Sequence, residues 1–370
     1  MRLRWLVALG ACVAMLGGAA AVTDPARAGV ARGSAAAVAG APPAVDAAAA
    51  VLMDVRTGRV LYALEPHRRL APASTTKILT AILVLERLSL SAPVTISARA
   101  ATQRDGAAIG LAPGEQWTVD ELLHVMLLKS ANDAAVALAE AAAGSVEQFV
   151  SLMNTRARHL GARNSQFVTP HGLDRPDHYS TAYDLAVIAR YGLHHPVFAA
   201  LVRTRAWVLQ RPGREPQEVV TTNRFLARYE GADGVKTGWT ARSGPCLVAS
   251  ATRGGWQLLA VVLNSPEVVS AAERLLDYGF VRFEPVRVAA AGQRLATVVV
   301  GRRGARVEAV LAADLYAVVP RGTPVASRVV LRQPLSAPVS AGAVVGQVEA
   351  VAGGTVVARA PLVAARGVPR

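Results

Sequence analysis

The chain has 370 residues, of which 52% are hydrophobic, and a formal charge of +14. That length suggests two domains with cores of their own, and the composition excludes a disordered or fibrous chain. The basic excess attracts nucleic acid, anionic lipid and anionic polymer alike, but the five tryptophans form no base-stacking pattern, which argues against a nucleic-acid binder.

The chain opens with Met1-Arg2-Leu3-Arg4, an apolar run from Trp5 to Val22, and Ala26-Arg27-Ala28 before Gly29. A short positive segment, an apolar stretch and a small-x-small site read as a secretory signal peptide over residues 1–28; an uncleaved membrane anchor is the competing reading. Cleavage would leave 37 basic and 25 acidic residues, a charge of +12. It would also remove Cys12 and leave Cys246 alone, so an exported protein without an internal disulfide is expected. Residues 29–46, rich in Ala, Gly, Val and Pro, read as a flexible lead-in.

From residue 47 the pattern becomes regular. Two apolar runs, Ala47–Asp54 and Arg59–Ala63, flank Arg56-Thr57-Gly58 and predict a hairpin. Helical spacing follows from Ser74 to Leu88, then at 119–128, 133–143, 146–160 and 181–191. Strands are predicted at 234–238, 246–252 and 256–263, with a turn at Ala232-Asp233-Gly234 and a last helix at 268–278. The simplest packing is an α+β domain over 47–283, an antiparallel sheet made from both chain ends beside a helical block. Residues 284–370 show short alternating runs between Gly and Pro turns, a small all-β C-terminal domain. From residue 286 on there are 11 arginines against Glu308, Asp314 and Glu349, an excess of +8 suited to an anionic membrane surface or wall polymer.

Of the 40 basic residues only Lys77, Lys129 and Lys236 are lysines. An ammonium can lose its proton and a guanidinium in practice cannot, so retained lysines point to proton transfer. Ser74 and Lys77, three apart at the start of a helix, share a face. With its pKa depressed by burial and by a cation such as Lys236, Lys77 becomes a base for the Ser74 hydroxyl. The helix N-terminus also directs N–H groups toward an oxyanion formed there. Ser130 and Asn132 fall between two helices, where the hydroxyl can pass a proton to a leaving amine and the amide can hold a substrate amide; an N-cap pair is the plainer alternative. Lys236-Thr237-Gly238 reads as an exposed strand edge. A peptide can pair with it, Gly238 lets that peptide approach, and Lys236 with Thr237 suits a terminal carboxylate. Lys129 reads as a solvated residue and Cys246 as a small buried strand residue. The seven histidines are scattered without ligand spacing, so no metal is expected, and no cofactor is called for.

Together the motifs resemble the active site of serine penicillin-binding proteins and β-lactamases. The stretches Ala73-Ser74-Thr75-Thr76-Lys77, Ser130-Ala131-Asn132-Asp133-Ala134-Ala135, His178-Tyr179-Ser180-Thr181-Ala182 and Asp233-Gly234-Val235-Lys236-Thr237-Gly238 resemble low-molecular-mass penicillin-binding proteins of the D-alanyl-D-alanine carboxypeptidase type. Residues 314–322 and Val344-Val345-Gly346 resemble that family's C-terminal β-domain. The resemblance implies a β-lactamase/transpeptidase-like catalytic fold, an acyl-enzyme on Ser74, Lys77 as base, and Ser130 with Lys236 in later proton transfers. It also implies Thr237 against the substrate carboxylate and the backbone N–H groups of Ser74 and Trp239 as oxyanion hole. Its substrates are peptidoglycan stem peptides ending in D-Ala-D-Ala, and β-lactams are its inhibitors.

Two departures stand out. Some relatives carry an arginine soon after the strand matching 256–263, and Asn264-Ser265-Pro266-Glu267 has none. Relatives also commonly end in an amphipathic anchor, which the residues up to Arg370 do not provide. A β-lactamase is disfavoured by the lack of a Glu-x-x-Leu-Asn element, a D,D-endopeptidase by the C-terminal β-domain, and a non-catalytic peptidoglycan-binding protein by three intact motifs.

Overall fold

The computed structural model describes residues 41–211, 215–301 and 304–369, so the signal-peptide reading and residues 29–40 of the lead-in lie outside them. The predicted hairpin forms from β1 (Ala49–Asp54) and β2 (Val60–Leu64). All six residues of β1 are buried, because the strand enters the middle of a sheet that the chain completes nearly two hundred residues later.

Between the two halves of that sheet runs the helical block. A 3-10 turn at Ala73–Thr76 leads into α1 (Lys77–Arg87), so Ser74 precedes the α-helix rather than opening it. Next come β3 (Pro93–Thr95), α2 (Ala98–Thr102) and β4 (Gln116–Thr118), with β3 and β4 paired. α3 (Val119–Leu128) is fixed at its start by a capping box between Thr118 and Glu121. α4 (Asn132–Ala143) stops at Gly144, whose φ of 81° is the left-handed cap that glycine adopts freely. α5 (Val146–His159) and α6 (Ala182–Leu193) begin at the side-chain caps Ser145 and Thr181. α7 (Pro196–Arg203), the paired strands β5 (Ala206–Leu209) and β6 (Gln217–Val220), and α8 (Phe225–Arg228) follow.

β7 (Ala232–Thr240), β8 (Gly244–Arg253) and β9 (Trp256–Leu263) then complete an antiparallel sheet in the order β2-β1-β9-β8-β7. Alternate residues of the central strands feed two cores, as the two-residue period of a strand requires. Val51, Met53, Val248, Leu259 and Val261 face the helical block, while Leu52, Leu247, Leu258 and Val262 face α9 (Val268–Arg282). Ala232-Asp233-Gly234, expected as a turn, lies inside β7: Asp233 accepts hydrogen bonds from Ser250, Thr252 and Gln257, partners that keep the segment extended.

α9 runs directly into β10 (Phe283–Ala289). The rest is strand: β11 (Arg294–Val300), β12 (Ala305–Leu311), β13 (Leu315–Pro320), β14 (Val325–Leu331), β15 (Val344–Ala352) and β16 (Thr355–Ala364). β10 pairs with β13, and the other five form a sheet in the order β11-β12-β16-β15-β14 around a third apolar core. β14 escapes sequence reading because it is an edge strand exposed on both faces, so its apolar residues do not alternate. The β1–β2 turn meets this domain: Arg59 donates to the Val318 carbonyl, and Arg56 lies 4.0 Å from the Tyr316 ring centroid.

Candidate active site

Two glycines set the position of Ser74. A Cβ on Gly172 would stand 1.9 Å from the Ala73 carbonyl oxygen, and one on Gly238 would stand 3.0 Å from the Ser74 nitrogen. A side chain on Gly172 is excluded outright, and one on Gly238 would fit only if the turn gave way by a few tenths of an ångström. The sequence reading gives Gly238 the task of making room for substrate; in the structure it also makes room for the turn that carries Ser74.

Lys77, fully buried, points back from α1 with its Nζ 2.9 Å from Ser74 Oγ, 2.6 Å from Asn132 Oδ1 and 2.8 Å from the His171 carbonyl. Burial, reinforced by the charge of Lys236 and opposed by Asp133, holds its pKa well below the ordinary lysine value. A neutral amine has two N–H bonds and one lone pair. In that neutral form the two carbonyl oxygens would take the N–H bonds and the lone pair would face the Ser74 hydroxyl. No sequence signal marks the His171 carbonyl, because any residue carries one. The His171 imidazole is held neutral, its pKa lowered to about 3 mainly by burial and then by the charge of Lys77. His178, lowered to about 4 by burial, accepts the Val168 N–H at Nδ1, so Nε2 donates to Thr76 Oγ1 beside the catalytic turn.

The opposite wall hangs from the start of α4. Asn132 belongs to its first turn: its backbone donates to the Ala107 carbonyl at 2.7 Å and its Nδ2 to the Asp105 carbonyl at 2.7 Å. Buried Asp133 collects the N–H groups of Ile109, Gly110 and Leu111 at 2.9 to 3.1 Å, and Arg211 donates to the Ile109 carbonyl. Residues 105–111 are thereby strapped against the motif. The N-cap alternative fails, since Ala131 takes the cap position and Ser130 adopts φ 63°, turned into the cleft.

β7 forms the third wall. It is the edge of its sheet, paired with β8 on one side only. Lys236 is buried and donates to the Thr237 carbonyl at 3.0 Å, and burial lowers its pKa to about 7. Ser74, Ser130, Asn132, Thr237, Gly238 and Trp239 line one cleft of about 620 Å³ together with Asp105, Gly172 and Arg175. Trp239 is 68% exposed at its lip. Lys129 is exposed, as expected, and Cys246 is a free buried thiol opposite Gly238, its pKa raised to about 11 by burial.

A serine hydroxyl facing a buried amine, beside a free strand edge on a helix-flanked antiparallel sheet, fits the class of acyl-transferring serine enzymes. Residues 36–267 match the family model described as D-alanyl-D-alanine carboxypeptidase, and residues 283–370 match that of the penicillin-binding protein 5 C-terminal domain. The chain is 35% identical over 331 residues to the D-alanyl-D-alanine carboxypeptidase DacF of Bacillus subtilis, covering 86% of this chain and 85% of the relative. It is 31% identical over 345 residues to DacA of Escherichia coli, covering 88% and 85%. The structure of penicillin binding protein 5 from Haemophilus influenzae is similar at a TM-score of 0.80 and 31% identity, over 90% of this chain and 100% of that one. The chain belongs to the D-alanyl-D-alanine carboxypeptidase family, within the low-molecular-mass penicillin-binding proteins.

Proposed function

We propose that this protein removes the terminal D-alanine from peptidoglycan stem peptides through an acyl-enzyme on Ser74. The substrate adds as a strand along the free edge of β7. Lys77 takes the proton of Ser74 Oγ as the oxygen attacks the penultimate D-alanine carbonyl, and the Ser74 and Trp239 N–H groups hold the oxyanion. Ser130 passes a proton to the departing D-alanine amine, with Lys236 behind it, while Asn132 and Thr237 orient the peptide. Water then releases the acyl group. β-Lactams enter the same path through their ring amide. The observation that carries this reading is the Lys77 contact set, two carbonyl acceptors and one hydroxyl.

The division that goes with it is signal peptide 1–28, lead-in 29–46, catalytic domain 47–283 and β-domain 284–370. Among the described residues no single helix is long and apolar enough to cross a membrane. The protein acts outside the cytoplasm, and the basic β-domain contacts anionic membrane surface or wall polymer. The test is release of free D-alanine from a peptide ending in D-Ala-D-Ala, with mapping of the residue labelled by a fluorescent penicillin. Release by the wild type, none by Ser74→Ala, and a label on Ser74 are expected. No release from the wild type, or equal release from both, refutes the reading.

A further inference from the structure

The missing arginine after β9 leaves the substrate's terminal carboxylate without a permanent cation from that position. Thr237 offers only a hydroxyl. Lys236 is buried and bonded to a backbone carbonyl, and at neutral pH part of it is uncharged. A peptide carboxylate is fully ionised at the same pH, so a guanidinium at the cleft mouth would supply what is absent.

The candidate lies in the loop after Gly172. Arg175 lines the same cleft as Ser74 and Thr237, and its side chain is exposed. Among the described residues its guanidinium forms no ion pair; its one hydrogen bond, 3.3 Å long, goes to the adjacent Asp174 carbonyl. Its charge reaches into the site, where it helps to keep the His171 imidazole unprotonated. Its backbone, unlike its side chain, is firmly held. Arg242 Nη1 donates to the Arg175 carbonyl at 2.7 Å, Arg242 N donates to Asp174 Oδ2 at 3.3 Å, and Thr240 Oγ1 donates to Asp174 Oδ1 at 2.7 Å. Thr240 ends β7, so these contacts staple the loop that carries Arg175 to the strand that carries Thr237. They also occupy the Asp174 carboxylate. Asp105, the other acid lining the cleft, sits on the opposite strap, tied through its carbonyl to Asn132.

We propose that Arg175 is a specificity-determining residue that reads the terminal carboxylate of the substrate from across the cleft, in place of an arginine following β9. A fork of N–H donors matches a carboxylate in two parallel hydrogen bonds, which an ammonium cannot reproduce. The assignment rests on the carboxypeptidase reading above for its natural substrate.

The experiment compares a peptide ending in D-Ala-D-Ala with the same peptide ending in the C-terminal amide, using wild type, Arg175→Ala and Arg175→Lys. Arg175→Ala should lose roughly tenfold in kcat/KM on the free acid, carried by KM, and less than about twofold on the amide. Arg175→Lys, which keeps the charge but not the fork, should recover only a small part of the loss. A ratio of acid to amide unchanged by Arg175→Ala, or an equal fall on both substrates, overturns the proposal; the second outcome would mean a structural loop residue. Acylation by benzylpenicillin against its methyl ester supplies a second readout. If the wild type releases no D-alanine, the carboxypeptidase reading falls, and the penicillin pair still decides whether Arg175 reads a carboxylate.

Discussion

In the first domain Lys77 and Lys236 are among the largest fully buried side chains, and neither forms an ion pair among the described residues. In residues 283–369 the one buried charged side chain described is Glu349, and it lies between Arg328 and Arg359, at 2.5 and 3.0 Å, on the outer face of the sheet. The registers Arg328↔Glu349 and Glu349↔Arg359 make this a three-strand ladder of alternating charge. Burying a charge without a partner is costly, and proteins keep such groups where their altered protonation is used. A carboxylate flanked by two guanidiniums instead keeps its ordinary ionised form: its pKa is lowered, first by the Arg328 hydrogen bond and then by that of Arg359. A buried charged residue stands without an ion pair in the proposed site of one domain and serves cross-strand pairing in the other.

That contrast breaks most sharply at Lys77. Lys77→Arg keeps the positive charge but removes the lone pair, so penicillin acylation should fall by about a thousandfold or more while near-ultraviolet circular dichroism stays native. Retained labelling would make Lys77 another paired cation. Gly238→Ala comes next: its methyl would meet the Ser74 nitrogen at 3.0 Å, and displacing the nucleophile should lower kcat/KM by about a hundredfold.

The pH profile sharpens the comparison further. With Lys77 as the proposed base, acylation should fall as the pH drops below its depressed pKa and the amine gains a proton. With Lys236 acting as a cation in the proposed mechanism, acylation should also decline above about pH 7, as it loses its proton. Lys236→Arg, which stays charged, should flatten the alkaline limb alone. A limb that survives this change would belong to another group. The smallest effect is expected in the ladder, where Glu349→Gln should leave D-alanine release unchanged and shift Tm by only a few degrees.

The parts of the fold legible in the sequence are those fixed locally. α3 starts and stops where its pattern predicts because Thr118 and Glu121 close a capping box, and β9 does so because an unbroken apolar run suits a strand covered on both faces. The lysine scarcity and the three motifs point to Ser74, Lys77, Ser130, Asn132, Lys236, Thr237 and Gly238, the family resemblance adds Trp239, and the structure brings all eight together. What stayed hidden depends on contacts between distant segments. The His171 carbonyl, the fit of Gly172 against Ala73, and the strap that Asp133 holds each join residues far apart in sequence, and none has a local signature. Short elements such as α7 and β3–β4 were missed because few residues carry their period.

Cys246 is the single cysteine in residues 41–369, and its sulfur lies inside β8 directly across from Gly238. A protonated, enclosed sulfur reacts slowly with alkylating agents. The molecule therefore carries a built-in reporter: iodoacetamide or a maleimide should leave the native enzyme unmodified and mark it only when the edge strand peels away, giving the opening rate of the catalytic wall without any engineered label.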